Sequence, residues 1–229
     1  MDTDLLQLLL DSFPKILLKG ITVTIPLTVI SFSIALVIAV AVALIQFADI
    51  PVLKQICRFY IWIIRGTPLL IQLFVAFFGL SQIGILIDPF PCAILVFSLN
   101  EGAYSAETIR GALESVPKGQ LEAGSCVGMS YLQTMRRVVL PQAFKTAFPA
   151  LSNSLIGMVK DTSLAANITV AEMFMSTQRI VARTYEALAL YLLLALIYLL
   201  FCTVLTRLQR VCENKLDVTK RKTEEEQHA

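Results

Sequence analysis

The chain has 229 residues, 56% of them hydrophobic and only 16% charged, with a formal net charge of +2. A soluble domain of this length carries about a quarter charged residues, so the composition excludes an ordinary soluble domain and demands a membrane. The small net charge says nothing about nucleic acid, and no nucleic-acid partner is expected. What informs is the uneven placement of the charges.

Met1–Asp11 carries Asp2, Asp4 and Asp11, whereas a secretory signal opens on a positive segment before a short apolar run. The N-terminus is therefore expected to be retained. Gly20–Ala48, Gly66–Ile87 and Ala187–Thr206 contain no charged residue. Each is long enough to cross a hydrocarbon core that needs roughly 20 helical residues. Two further segments are interrupted: Pro89–Ala106 meets Asn100 and Glu101, and Thr146–Ala171 carries Lys160 and Asp161. The expectation is an all-α integral membrane protein with a single transmembrane domain over 1–229. Its five transmembrane helices fall at about 20–47, 58–80, 89–111, 145–171 and 186–207, with a loop at 112–142 and a cytoplasmic tail at 209–229. No internal repeat is visible.

With the N-terminus outside, thirteen Lys and Arg fall on the cytoplasmic side and four outside, leaving Arg65 and Lys160 at membrane depth. That bias predicts an N-out, C-in orientation and a cytoplasmic Leu121–Pro141. Lys215–Ala229 mixes charges without apolar periodicity and reads as a solvated, frayed end. Cys57, Cys92, Cys126, Cys202 and Cys212 are scattered and odd in number, and His228 is the sole histidine. They fit small packing residues better than a disulfide framework or a zinc site.

Leu121–Pro141 is polar, rich in small residues and expected to form two short helices. Ser115 is placed to cap the first, with Pro117 in its opening turn, and Gly128 suits the left-handed position that ends a helix. Ser130 and Gln133 have the spacing of a capping box. Leu132, Met135 and Val139 make an apolar stripe, and Pro141 is expected to stop the second helix. Such an elbow either docks another protein or rests on lipid headgroups.

Charges at bilayer depth cost ~3 kcal/mol or more, so they face a partner or a wet cavity. Arg65, Glu101, Glu107, Lys160 and Asp161 need that explanation. One reading is internal pairing, with Arg65 against a carboxylate of a neighbouring helix. The other is a path for a polar solute. Breaks at Gly66-Thr67-Pro68 and Asp161-Thr162-Ser163 can free backbone N–H and C=O groups near the midplane. Thr67, Gln72, Asn100, Glu101, Tyr104, Asp161, Thr162 and Ser163 then form the candidate substrate-binding set. A zwitterion needs donors for its carboxylate and acceptors for its ammonium, and this set holds both.

The chain has no GxxxxGK[ST] run, no HExxH and no GxSxG, so neither ATP hydrolysis nor the common metal and triad chemistries are expected of it. On the residues alone, a self-sufficient channel or ion-coupled transporter would use Glu101, Glu107 and Asp161 as a relay. A structural membrane subunit without a solute path is the remaining class.

Glu122-Ala123, then Gly128, then Val138-x-Leu140-Pro141 resembles the EAA loop of bacterial ABC-importer permeases. That signature reads E-A-A, three residues, G, nine residues, I-x-L-P. Gly124 departs from its third position and Val138 from its Ile. Arg65-Gly66-Thr67-Pro68-Leu69 with Gln72-Leu73-Phe74, Leu99-Asn100 with Ala103-Tyr104 and Glu107, and Val159–Leu164 resemble the second, third and fourth helices of polar amino-acid permeases. The likeness covers about Leu17–Leu216. Arg183-Thr184, Glu186 and Glu213-Asn214 are similar to the cystine-type branch.

The resemblance implies a type I ABC-importer fold and import of a polar amino acid, cystine first. It makes the elbow a coupling segment for a separate ATPase subunit, carried by Glu122, Ala123, Gly124, Gly128, Met129, Ser130, Arg136 and Pro141. It also implies two copies of that subunit, an extracytoplasmic solute-binding protein, and a second copy of the chain or a paralogous permease, all in membrane lipid. No cofactor binds this chain on that reading. ATP and magnesium are used by the partner ATPase.

Overall fold

The computed structural model describes residues 3–227, with side chains over 4–216, and is helical throughout these, without a strand. His228 lies outside the described residues. In chain order the helices are α1 (Thr3–Lys19), α2 (Ile25–Phe47), α3 (Pro51–Gly66), α4 (Leu69–Phe74), α5 (Leu80–Gln82), α6 (Pro89–Glu114), α7 (Lys118–Cys126), α8 (Tyr131–Thr134), α9 (Leu140–Asp161), α10 (Met173–Thr184) and α11 (Ala187–Gln227).

Proline accounts for two of the irregularities. A helical proline lacks an N–H and its ring crowds the carbonyl four residues back. Pro26 follows a π-helical turn at Gly20–Thr24, and Pro141 follows another at Met135–Val139. A π turn adds one residue to the ladder and rearranges the carbonyls ahead of the ring. Hence α1 and α2 form one helix from Asp4 to Phe47. The expectation that Pro141 ends the second loop helix is overturned, because the chain stays helical from Tyr131 to Asp161.

Among the described residues two helices are long and apolar enough to cross a membrane, Asp4–Phe47 and Ala187–Leu216. The pair Pro51–Gly66 and Leu69–Gln82, bent by 104°, is long and apolar enough for a third if the two are one broken span. Thr67 and Pro68 are extended there, since proline disfavours the helical region for its predecessor. The helix expected over 145–171 stops at Asp161. A 3-10 turn at Thr162–Ile168 follows, closed by Thr169 in the left-handed region. The tail expected to be frayed continues α11 to Gln227.

The centre of the bundle is α2 against α6. Ala35, Ala39 and Ala43 on one helix and Gly102, Ala103 and Ala106 on the other are buried and let the backbones approach closely. A methyl group on Gly102 would lie 3.0 Å from Ile38 Cγ2 and 3.1 Å from the Tyr60 hydroxyl, so no larger residue fits without a shift. The Ser98 hydroxyl donates to the Ser31 carbonyl at 3.1 Å across the same seam.

A second anchor lies where α10 meets α11. Glu172, fully buried, caps α10 by accepting from the backbone N–H groups of Phe174 (2.8 Å) and Met175 (2.7 Å) and from the Tyr198 hydroxyl (3.2 Å). Replacing Glu172 by Ala orphans those donors. It should cost about 2–3 kcal/mol, read as a fall in the melting temperature of the detergent-purified protein. Glu172→Gln, which keeps one acceptor oxygen, should lose less.

Candidate coupling elbow and intramembrane polar cluster

The elbow is built from its caps. The Ser115 N–H donates to the Gly111 carbonyl, and its hydroxyl donates to Ala112 O at 2.7 Å. Ser115 therefore closes α6, and α7 starts after Pro117 with no side-chain cap. That corrects the expected N-cap: Pro117 keeps Val116–Pro117 out of the helix, so the serine belongs to the helix before it. At the other end of α7, Met129 N–H donates to Gly124 O (2.9 Å) and Gly128 N–H to Ser125 O (3.1 Å). Gly128 has φ +78, completing a Schellman ending that strongly favours glycine at this position. The capping box forms: the Gln133 N–H donates to Ser130 Oγ at 3.3 Å and the Ser130 N–H to Gln133 Oε1 at 2.9 Å.

Met135 and Val139 are buried in one cluster with Leu113 of α6, Ala43 of α2 and Leu151 of α9. Leu132, expected on the same stripe, is 74% exposed. The π turn after Thr134 shifts the helical phase, so the stripe begins one turn later. Around the exposed tip, Val127, Tyr131 and Leu132 form an apolar patch that the sequence reading missed. Their position flanking Gly128 was the available signal, because apolar residues beside a solvated turn have no core to enter. Glu122, Ala123, Gly128, Ser130, Arg136 and Pro141 are also exposed, Met129 is half-buried, and Gly124 is buried. A cleft of about 550 Å³ runs beneath α7, lined by Lys118, Leu121, Glu122 and Val139 among others.

The polar residues at membrane depth divide into three groups. In the first, Gln72 braces the α3–α4 break. Its Nε2 donates to Ile64 O (2.8 Å), Thr67 Oγ1 (2.9 Å) and Thr67 O (3.1 Å), while its Oε1 accepts from Asn100 Nδ2 at 3.1 Å. In the second, Arg65 pairs with Glu107 at 3.8 Å and lies 5.2 Å above the Tyr104 ring. Arg110 holds Glu107 at 2.9 Å and Glu114 at 2.6 Å. The internal pairing considered for Arg65 is thus present.

In the third group Glu101 accepts from Ser105 Oγ at 2.6 Å. Asp161 and Lys160 are exposed on the bundle surface, and the Ser163 hydroxyl returns to Lys160 O at 2.8 Å. Thr162 turns the other way. It is fully buried, donating to Val159 O at 2.7 Å on the side of Tyr198, so its hydroxyl is not presented with Asp161 and Ser163. The two breaks meet in space, because α4 packs on the Thr162–Ile168 turn through Leu69, Leu73, Leu164 and Ile168.

The brace predicts a specific defect. Gln72→Leu leaves the Ile64 and Thr67 carbonyls without this donor and should destabilise the bend by about 1–3 kcal/mol. Faster proteolysis at Gly66–Leu69 and a lower melting temperature than wild type would be the measured outcome, and Gln72→Glu, which sets an acceptor against the same carbonyls, should do no better.

Residues 35–218 match the family described as binding-protein-dependent transport system inner membrane component. The L-cystine transport system permease protein TcyB of Bacillus subtilis is 46% identical over 215 residues, covering 93% of this chain and 91% of that one. The nopaline transport system permease protein NocM of Agrobacterium fabrum is 38% identical over 218 residues, covering 91% and 90%. A crystal structure of an amino acid ABC transporter with histidines superposes with a TM-score of 0.85 at 32% identity, over 94% of this chain and all of that one. The chain belongs to the family of binding-protein-dependent transport system inner membrane components and is a multi-pass inner-membrane permease subunit, not an enzyme.

Proposed function

We propose that the chain is the permease subunit of an ATP-driven importer of a polar amino acid, with cystine the first candidate. The supporting relatives are a cystine permease and an amino-acid transporter of known structure. The chain crosses the membrane five times, N-out and C-in, counting α6 and α9 as the two polar crossings. A solute-binding protein delivers the amino acid to the outer face. Two ATPase subunits, using ATP and magnesium, act on the elbow from the cytoplasm, and a second copy of the chain or a similar permease completes the passage.

One observation carries the reading. The elbow exposes Glu122, Ala123 and an apolar tip at Val127, Tyr131 and Leu132, yet Met135 and Val139 root it in the same core as α2, α6 and α9. A push at the tip is delivered to the bundle by packed, poorly compressible side chains. Conformational driving then needs only that the ATPase bind one arrangement of the bundle better than the other.

The solute set is read from the same geometry. Asp161, Glu101, Tyr104 and Ser163 keep the role of solute contacts. Thr67, Gln72 and Asn100 hold the break that shapes the site, and Thr162 supports it from behind. A relay of Glu101, Glu107 and Asp161 is less well supported, since Glu107 is held between two arginines.

Glu122→Lys or Gly128→Trp should abolish uptake and ATPase stimulation in reconstituted vesicles while leaving membrane insertion intact. Unchanged uptake with either refutes the coupling role. Cystine should compete best in an uptake panel of the common amino acids. Uptake that persists without ATP under a clamped ion gradient would instead favour ion coupling.

A further inference from the structure

Gly124 is buried on the inner side of α7, and α8 lies directly against it. A methyl group built on Gly124 would stand 2.5 Å from Thr134 Oγ1, 2.7 Å from Thr134 Cγ2 and 3.2 Å from Thr134 Cβ. Both branches of the threonine are in the way, so no single rotation about χ1 clears the space. Thr134 is itself 2% exposed, and its hydroxyl is tied to Ser130 O at 3.2 Å. Behind it the chain continues into the buried Met135 and Val139.

The segment between the two helices is short and tied at both ends. The Schellman bonds fix the end of α7 and the capping box fixes the start of α8. A wedge between Gly124 and Thr134 is therefore relieved most cheaply by opening the two helices about Val127–Ser130. Since α8 runs into the buried Met135 and Val139 while α7 touches that core only through Leu121, the opening displaces Glu122 and Ala123 relative to α8.

We propose that Gly124 and Thr134 are a matched pair that sets the angle of the elbow, with Thr134 a positioning residue outside the loop signature. The consequence for transport rests on the coupling role proposed above; the pair itself rests on the packing alone. Gly124→Ala closes the contact, and Thr134→Ala removes the two atoms that would clash, leaving only Cβ at 3.2 Å, which a shift of a few tenths of an ångström accommodates.

The test uses the full chain with its ATPase and binding protein in vesicles, and compares Gly124→Ala with the double variant Gly124→Ala/Thr134→Ala. Two quantities are read: the melting temperature of the purified permease, and solute imported per ATP hydrolysed. A purely structural defect lowers transport and hydrolysis together and leaves their ratio alone. Gly124→Ala should lower the melting temperature and reduce the ratio about tenfold, and the double variant should return both most of the way, as non-additive neighbours do. A Gly124→Ala protein with the wild-type ratio and melting temperature overturns the pair, as does a double variant no better than the single one. Rescue of melting temperature with no change in ratio at any point overturns control of coupling. If Gly124→Ala is not inserted, insertion recovered in the double variant supports the pair, and none recovered overturns it. Glu122→Lys, measured alongside, separates the readings: wild-type uptake there removes the coupling role whatever the pair does.

Discussion

A peptide group shut away from water, in hydrocarbon or in a packed core, must find its partners within the protein, and several irregularities of this bundle answer that constraint. Where Pro26 and Pro141 cannot donate, π turns rearrange the ladder ahead of them. Where Gly66-Thr67-Pro68 breaks the helix outright, a single side chain, Gln72, supplies the missing donor to two carbonyls and a hydroxyl. Where α9 ends, a 3-10 turn tightens the last carbonyls and Glu172 caps the helix that follows. None of these devices is decoration, because an unsatisfied backbone group at this depth costs several kcal/mol.

The same accounting explains the charges. Glu107 sits between Arg65 and Arg110 on the α3 and α6 faces, with Tyr104 under the Arg65 guanidinium. These groups offset one another within the bundle. Asp161 and Lys160 differ, being exposed on the surface of a single copy. A lone charge in lipid is costly, so that surface is the one the proposed assembly would cover. Polar residues thus separate into those that hold the bent helices in shape and those left facing outward.

The elbow joins the two halves of the protein. Its arm is short, closed at Gly128, capped again at Ser130 and largely exposed, while its root enters the core through Met135 and Val139. Short rigid elements with fixed caps turn small displacements into rotations rather than into local unfolding. Gly124 lies so close to Thr134 that the approach of the two helices there depends on two particular residues.

Much of this was legible in the residues. Uncharged runs gave α2 and α11, the Ser130–Gln133 spacing gave the capping box, and Gly128 gave the left-handed helix ending. All three are local signals, set by hydropathy or by bonds spanning a few residues. Other features needed neighbours far away in the chain. Ser115 closes α6 instead of opening α7, Leu132 faces out, and Pro141 lies inside a continuous helix, because π turns and packing phase are not written in any short window. Thr162 and Ser163 are adjacent, yet the packing of the 3-10 turn buries Thr162 fully and leaves Ser163 half-buried. Sequence alone determined which segments are too apolar to remain in water. Only the tertiary structure decided which polar groups already have partners, since that depends on what long-range packing brings within hydrogen-bonding distance.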